Sequence, residues 1–282
     1  MDVLKGWVDG APILILGVAV LVLMLLAALT GATIRRRHER DRQGEALGEG
    51  EGYIVSGVLG LLALLLGFTF ALAVDRFETR RALVLQEANA IGTTYLRTQL
   101  LEEPHRARIS GLLVDYADNR LALAKAEFPE GRDLLARNDR LVTELWAATS
   151  SAFLTIKGLD FSSTYLDSMN NLIDLDAARK AARQVRVPTE VFVILVVYLV
   201  VTAGVLGYVF DGSRGRAAAV FMLLLLSMSL MLIIDIDRPR RGGIQEGQGP
   251  MEALLKSLKS EPPSVYDRYR IEDARPIAAP AN

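Results

Sequence analysis

The stretch "GVLGLLALLLGFTFALAVDRFETRRALVLQEANAIGTTYLRTQLL", residues 57–101, decides how the chain is built. It opens on an apolar run with no charge as far as Val74 and passes without a break into a charged segment. No proline interrupts Tyr53 to Leu101. A continuous helix over that range has about 49 residues and reaches about 74 Å at 1.5 Å per residue. A membrane core is only ~30 Å thick. The sequence therefore predicts a second span over 53–74 that runs on as a helix to about residue 101, projecting some ~40 Å beyond the apolar part.

Working outward, three more runs of similar length and apolarity appear, giving spans over 11–34, 188–210 and 217–236. The runs are continuous rather than alternating, which excludes a β-barrel and leaves helices as the spanning structure. A cleaved signal peptide does not suit the first run: its basic flank, "RRRHER", follows the apolar residues, and the run is too long. The expected fold is an all-α membrane protein of four transmembrane helices, with a helical extramembrane domain, 75–187, inserted between spans two and three. Residues 35–52 read as a charged, Gly-rich flexible loop. Residues 237–282 read as a polar tail with one amphipathic piece, "MEALLKSLK", and a disordered end.

Within 75–187, Pro104 suits the first turn of a helix carrying Ile109, Leu113 and Tyr116 on one side. "FPEGR" and "KGLDFSS" are breaks, and Leu141, Leu145 and Phe153, then Leu166, Met169 and Ile173, mark two more helices.

At about 100° per residue the long helix has three stripes. Leu66, Phe70, Phe77, Val84, Ile91 and Tyr95 share one. Asp75, Thr79, Gln86, Asn89, Thr93 and Arg97 lie roughly opposite. Gly57, Gly60, Gly67 and Ala71 form a small-residue stripe within the span, suited to close helix packing. One reading packs these glycines inside a single bundle. The other sets several copies of the helix around an axis, with Leu66, Phe70 and Phe77 as a pore constriction that gates by dewetting. Phe70 is then the leading residue, Phe68 lies on another face, and Arg81 near the mouth would attract anions. Asn89 and Gly92 are expected at helix–helix contacts.

Several chemistries find no residues. The net charge is −1, without the basic excess of a nucleic-acid binder. There is no cysteine, hence no disulfide and no thiol nucleophile. His38 and His105 lack ligand-spaced partners, so no metal site is expected. No catalytic residue and no cofactor motif emerges. The span interiors lack ionisable residues, which argues against a proton pump. Asp235 and Asp237, followed by Arg238, Arg240 and Arg241, read as an interfacial cap with snorkelling arginines.

"GFTFALAVDRFETRRALVLQEANAIGTTYLRTQLL", "LLVDYADNRL", "SMNNLIDL" and "IDIDRPRRGG" resemble the bestrophin-like domain family of bacterial membrane proteins, over roughly residues 10–250. The resemblance implies distant kinship to bestrophins, pentameric anion channels with four membrane helices per subunit and a hydrophobic neck on the second span. It implies placement in a bacterial inner membrane, a homo-oligomer of five, and chloride or another small anion as the conducted ion. The acidic calcium cluster of bestrophins after the fourth span has no counterpart in "DIDRPRRGG".

Basic residues are nearly balanced across the membrane. Short loops place the helical domain outside, whereas the kinship places it in the cytoplasm. Two functions fit the residues: an oligomeric anion channel, or a non-conducting sensor or scaffold whose helical domain binds a protein partner.

Overall fold

A computed structural model describes residues 12–41, 50–126, 129–239 and 242–272. Arg240, Arg241, residues 42–49 and the C-terminal residues 273–282 lie outside the described residues, and with them much of the expected flexible loop and disordered end. Nine helices and no strand occur among the described residues. They are α1 (Ile13–Asp41), α2 (Gly50–Thr98), α3 (His105–Lys125), α4 (Glu130–Ile156), α5 (Phe161–Gln184), α6 (Thr189–Val209), α7 (Gly212–Asp237), α8 (Gly249–Ser260) and α9 (Pro263–Glu272). The chain divides into two units, Met1–Glu78 with Val185–Gln245, and Thr79–Gln184 with Glu246–Asn282. α2 runs unbroken through 49 residues and contributes to both.

Among the described residues, four helical segments are long and apolar enough to cross a membrane, within Ile13–His38, Gly52–Thr98, Phe161–Val209 and Gly212–Asp237. Large apolar side chains such as Leu14, Leu29, Phe68, Phe221 and Met228 are exposed on them. A surface this apolar belongs against lipid or another subunit, and the chain is a membrane protein. α1 continues past Ile34 through its arginines to Asp41, where the sequence suggests a loop from residue 35. Charge alone does not stop a helix, and no glycine or proline follows Ile34 until Gly44. Pro188 precedes α6, where its missing N–H leaves no intrahelical bond unmade.

α1 packs most closely against α6. A Cβ on Gly31 would collide with the Gly204 carbonyl, and one on Gly207 with the backbone of Ala28. The two backbones therefore touch, as small residues allow where lipid provides no hydrophobic drive. Most of the other inward residues are apolar, among them Met24, Leu62, Leu66, Leu195, Leu199, Leu206, Leu223 and Leu230, with Thr69, Thr202 and Ser227 as buried polar exceptions within the spans.

The second unit has a water-type core. Tyr95 of α2, Ile109, Leu113 and Tyr116 of α3, Leu145 of α4 and Tyr165, Met169 and Leu172 of α5 are almost fully buried. Pro104 and Pro129 stand immediately before α3 and α4. The amphipathic piece of the expected polar tail is part of this core. Met251, Leu255 and Leu258 recur at helical spacing on α8 and are buried.

Candidate functional site

α2 is the element on which the functional reading turns, and its two sides differ. The stripe of Leu66, Val84, Ile91 and Tyr95 faces inward: Leu66 is 8% exposed, Val84 2%, Ile91 0% and Tyr95 2%. Phe77 is half-buried and packs against the core of the membrane unit. Leu66 therefore packs within the core of its own unit, whereas Phe77 keeps part of its ring exposed. Phe70 is exposed, but at about 100° per residue it lies on the flank of α2.

The opposite side is open. Gly57, Gly60, Leu61, Leu64, Gly67, Phe68 and Ala71 are all exposed, followed on the same face by Asp75, Thr79, Gln86, Asn89 and Thr93. A Cβ built on Gly57, Gly60 or Gly67 meets nothing within 4 Å. So these glycines do not pack inside a single bundle, against the simpler of the two expectations. Intramembrane glycines that do pack include Gly17, against the Met231 side chain, and Gly31 and Gly207, on helices whose small residues the sequence reading passed over. Asn89 is likewise exposed rather than held at a contact within its unit. Gly92 does sit at a helix contact, with the Leu254 side chain of α8 3.3 Å from its Cβ position. Arg81 is exposed but more than a quarter-turn from the centre of the open face.

On the inward side of α2, one residue carries chemistry that sequence reasoning missed. Glu87 is fully buried. Its Oε1 accepts from the Tyr116 hydroxyl at 2.6 Å and lies 2.9 Å from Arg120 Nε. Its Oε2 pairs with Arg179. Asp176, 3% exposed, accepts from Asn138 Nδ2 at 2.8 Å, pairs with Lys180 at 2.5 Å, and lies 3.4 Å from Arg120 Nη1. Two buried carboxylates thus face two arginines and a lysine, an arrangement that offsets the desolvation of each ion only because all are paired. Burial and then the Glu87 charge push the Tyr116 hydroxyl well above its usual range. Burial alone would lower Arg120, but the charges of Glu87, Tyr116 and Asp176 outweigh it and raise it. Glu87, Tyr116, Arg120, Asn138, Asp176 and Arg179 are all buried, so the network ties α2, α3, α4 and α5 together. The signal was available only as fragments: Tyr116 and Arg120 are four apart on α3, as are Asp176 and Lys180 on α5.

At the end of α7, Asp235 accepts from the backbone N–H of Gly243 at 2.7 Å and of Ile244 at 3.0 Å, folding the following loop back. Asp237 accepts from the Val187 N–H at 3.0 Å. Arg238 is 4% exposed, so it is buried rather than snorkelling to an interface.

A family model for the bestrophin-like domain matches residues 21–246. Comparison with curated proteins finds no match. Among solved structures, a tryptophan-to-alanine variant of a bacterial bestrophin homolog from Klebsiella pneumoniae is similar at TM-score 0.64 and 17% identity, over 91% of this chain and 98% of that one. The structure of the Klebsiella pneumoniae homolog phased on zinc is similar at TM-score 0.62 and 17% identity, over 89% and 97%. At such identity these likenesses concern the fold.

Proposed function

Since the chain belongs to the bestrophin-like family, we propose that it is an ion channel of the bacterial inner membrane, assembled from several copies whose α2 helices surround a common axis. The kinship supports five copies, with chloride or another small anion as the conducted ion. The observation that carries this reading is the open face of α2. That face is small and apolar as far as Ala71 and polar beyond it. Small residues let neighbouring helices approach, and the large apolar residues among them narrow the axis. Leu64 (53% exposed) and Phe68 (67%) take that place, in the role first assigned to Leu66, Phe70 and Phe77. A constriction of this kind closes by excluding water.

A specific observation favours a second reading of the ion. Asp75 is the first charged residue beyond the apolar stretch on the open face. Repeated around an axis it makes a ring of carboxylates, which favours cations.

Reconstitution in vesicles tests both parts. Phe68→Ala should raise salt flux above the parent, and Phe70→Ala should change it less. The reversal potential in a potassium chloride gradient then reports the sign of the ion, and Asp75→Asn should move it toward chloride. A well-folded parent and Phe68→Ala protein that both stay at the level of empty vesicles would defeat the channel reading and favour a sensor or scaffold that binds a protein through its helical unit.

A further inference from the structure

Beside the contact between α1 and α6, the membrane unit has an open apolar groove of about 770 Å³. Leu23, Leu26 and Ile34 of α1, Val201 and Val205 of α6, and Ile54 of α2 line it. The Thr30 hydroxyl within it is turned back on its own helix, donating to the Leu26 carbonyl at 2.8 Å. From Leu23 to Ile34 the groove follows α1 for about 16 Å. That is about half of a ~30 Å hydrocarbon core, the depth of one lipid leaflet. A neighbouring transmembrane helix would need the full depth.

One end of the groove is cationic. Next to Ile34, Arg35 Nη1 donates to the carbonyls of Val209 at 2.8 Å and Tyr208 at 3.3 Å, and its other terminal nitrogen lies 3.9 Å from Asp211. Arg216 Nε donates to the Gly212 carbonyl at 3.1 Å, beside Asp211, and Arg36 follows Arg35 on α1. The Gly212 N–H, then Arg35, Arg216 and Arg36, hold the Asp211 carboxyl below its usual range. The side chains of Arg36 and Arg216 are exposed. Across residues 35–41 and 211–216 there are six arginines against three acidic residues. Apolar walls one leaflet deep and an excess of arginine at one end complement an acyl chain with an anionic head.

We propose that this groove holds an acyl chain of an anionic phospholipid, with the lipid phosphate over Arg36 and Arg216. The site is separate from the ion path and does not depend on conduction. Val201 and Leu26 are more than half exposed, so a tryptophan at either can fill the groove without entering the core.

The test is native mass spectrometry of the full-length protein after incubation with phosphatidylglycerol or phosphatidylcholine vesicles. The parent should retain phosphatidylglycerol several-fold more than phosphatidylcholine. The double variant Arg36→Gln, Arg216→Gln should lose that preference. Val201→Trp and, independently, Leu26→Trp should lose both lipids while keeping the parent's oligomeric state. Equal retention of the two lipids by the parent would overturn the proposal. So would undiminished lipid on both tryptophan variants, or loss of subunits in place of lipid, which would make the occupant a second copy of the chain.

Discussion

Gly31 and Gly207 bring the backbones of α1 and α6 into contact in the membrane unit, whereas α2, α3 and α5 of the helical unit meet through Glu87, Tyr116, Arg120 and Arg179. Solvent accounts for the difference. Lipid is as apolar as leucine and provides no reason for apolar helices to associate, so close van der Waals approach has to supply it. In water, burial of the surrounding tyrosines and leucines supplies the drive, and a charge network can be accommodated inside so long as each ion is paired. A bulky residue should therefore be fatal in the first unit, and an unpaired charge should be the worst defect in the second.

The largest expected effect is on Gly207→Leu. The added atoms would meet the backbone of Ala28, which cannot move aside as a side chain can. Overpacking commonly costs about 1–3 kcal/mol, and a collision with backbone falls at or above the top of that range. Little monodisperse protein should be recovered by size-exclusion chromatography. Wild-type yield and melting temperature would break the backbone-contact account. Next comes Glu87→Gln, which takes the carboxylate from the buried Arg179 and leaves Arg120 only Asp176, 3.4 Å away. The expected loss is about 3–5 kcal/mol in denaturant unfolding of the helical unit. A loss below about 1 kcal/mol, that of an ordinary surface pair, would mean the network is hydrated.

Tyr116→Phe should cost less, about 1–3 kcal/mol, by removing one donor from Glu87. It should also act on the alkaline limb. A tyrosine raised above its ordinary value of 10.0 stays protonated in the folded chain while the unfolded chain ionises. Its contribution is therefore complete below pH 10 and is lost as pH rises beyond it. The phenylalanine variant should show a shallower fall of stability above pH 10 than the parent, and an unchanged slope would contradict the assignment. The smallest effect belongs to Gly57→Ala and Gly67→Ala. Nothing among the described residues meets their added methyl groups, and alanine favours a helix over glycine by roughly 0.5–1 kcal/mol. Subunit stability should hold or rise slightly, and loss of the oligomer without loss of the fold would assign both positions to contacts between copies.

The comparison also marks what a sequence discloses. The spans and the unbroken α2 are legible because length, apolarity and the absence of proline are local properties. Which stripe of α2 turns inward is not. Leu66 and Leu64 are equally apolar, and only in the folded chain is the first buried in the core of the membrane unit and the second exposed. Small residues have the same limit: a glycine permits close approach, but Gly57 and Gly31 look alike until α6 is seen against one of them. Glu87, Arg120 and Arg179 lie on three helices, and nothing in their spacing along the chain brings them together. Four segments quoted for the family resemblance nonetheless contain or adjoin the network and the Asp235 turn. These are "EANAIG" with Glu87, "LLVDYADNRL" with Tyr116 and Arg120, "SMNNLIDL" just before Asp176, and "IDIDRPRRGG" with Asp235.

The proposal that the open α2 face turns toward an axis shared by several copies is tested most directly by cysteine cross-linking in native membranes. The natural chain has no cysteine and so no background. Ala71→Cys and Thr79→Cys sit on the open face, and Leu66→Cys on the buried one. Oxidation should join copies of the first two into dimers on a non-reducing gel and leave Leu66→Cys monomeric. Monomers at Ala71 and Thr79, or equal cross-linking at Leu66, would contradict the arrangement.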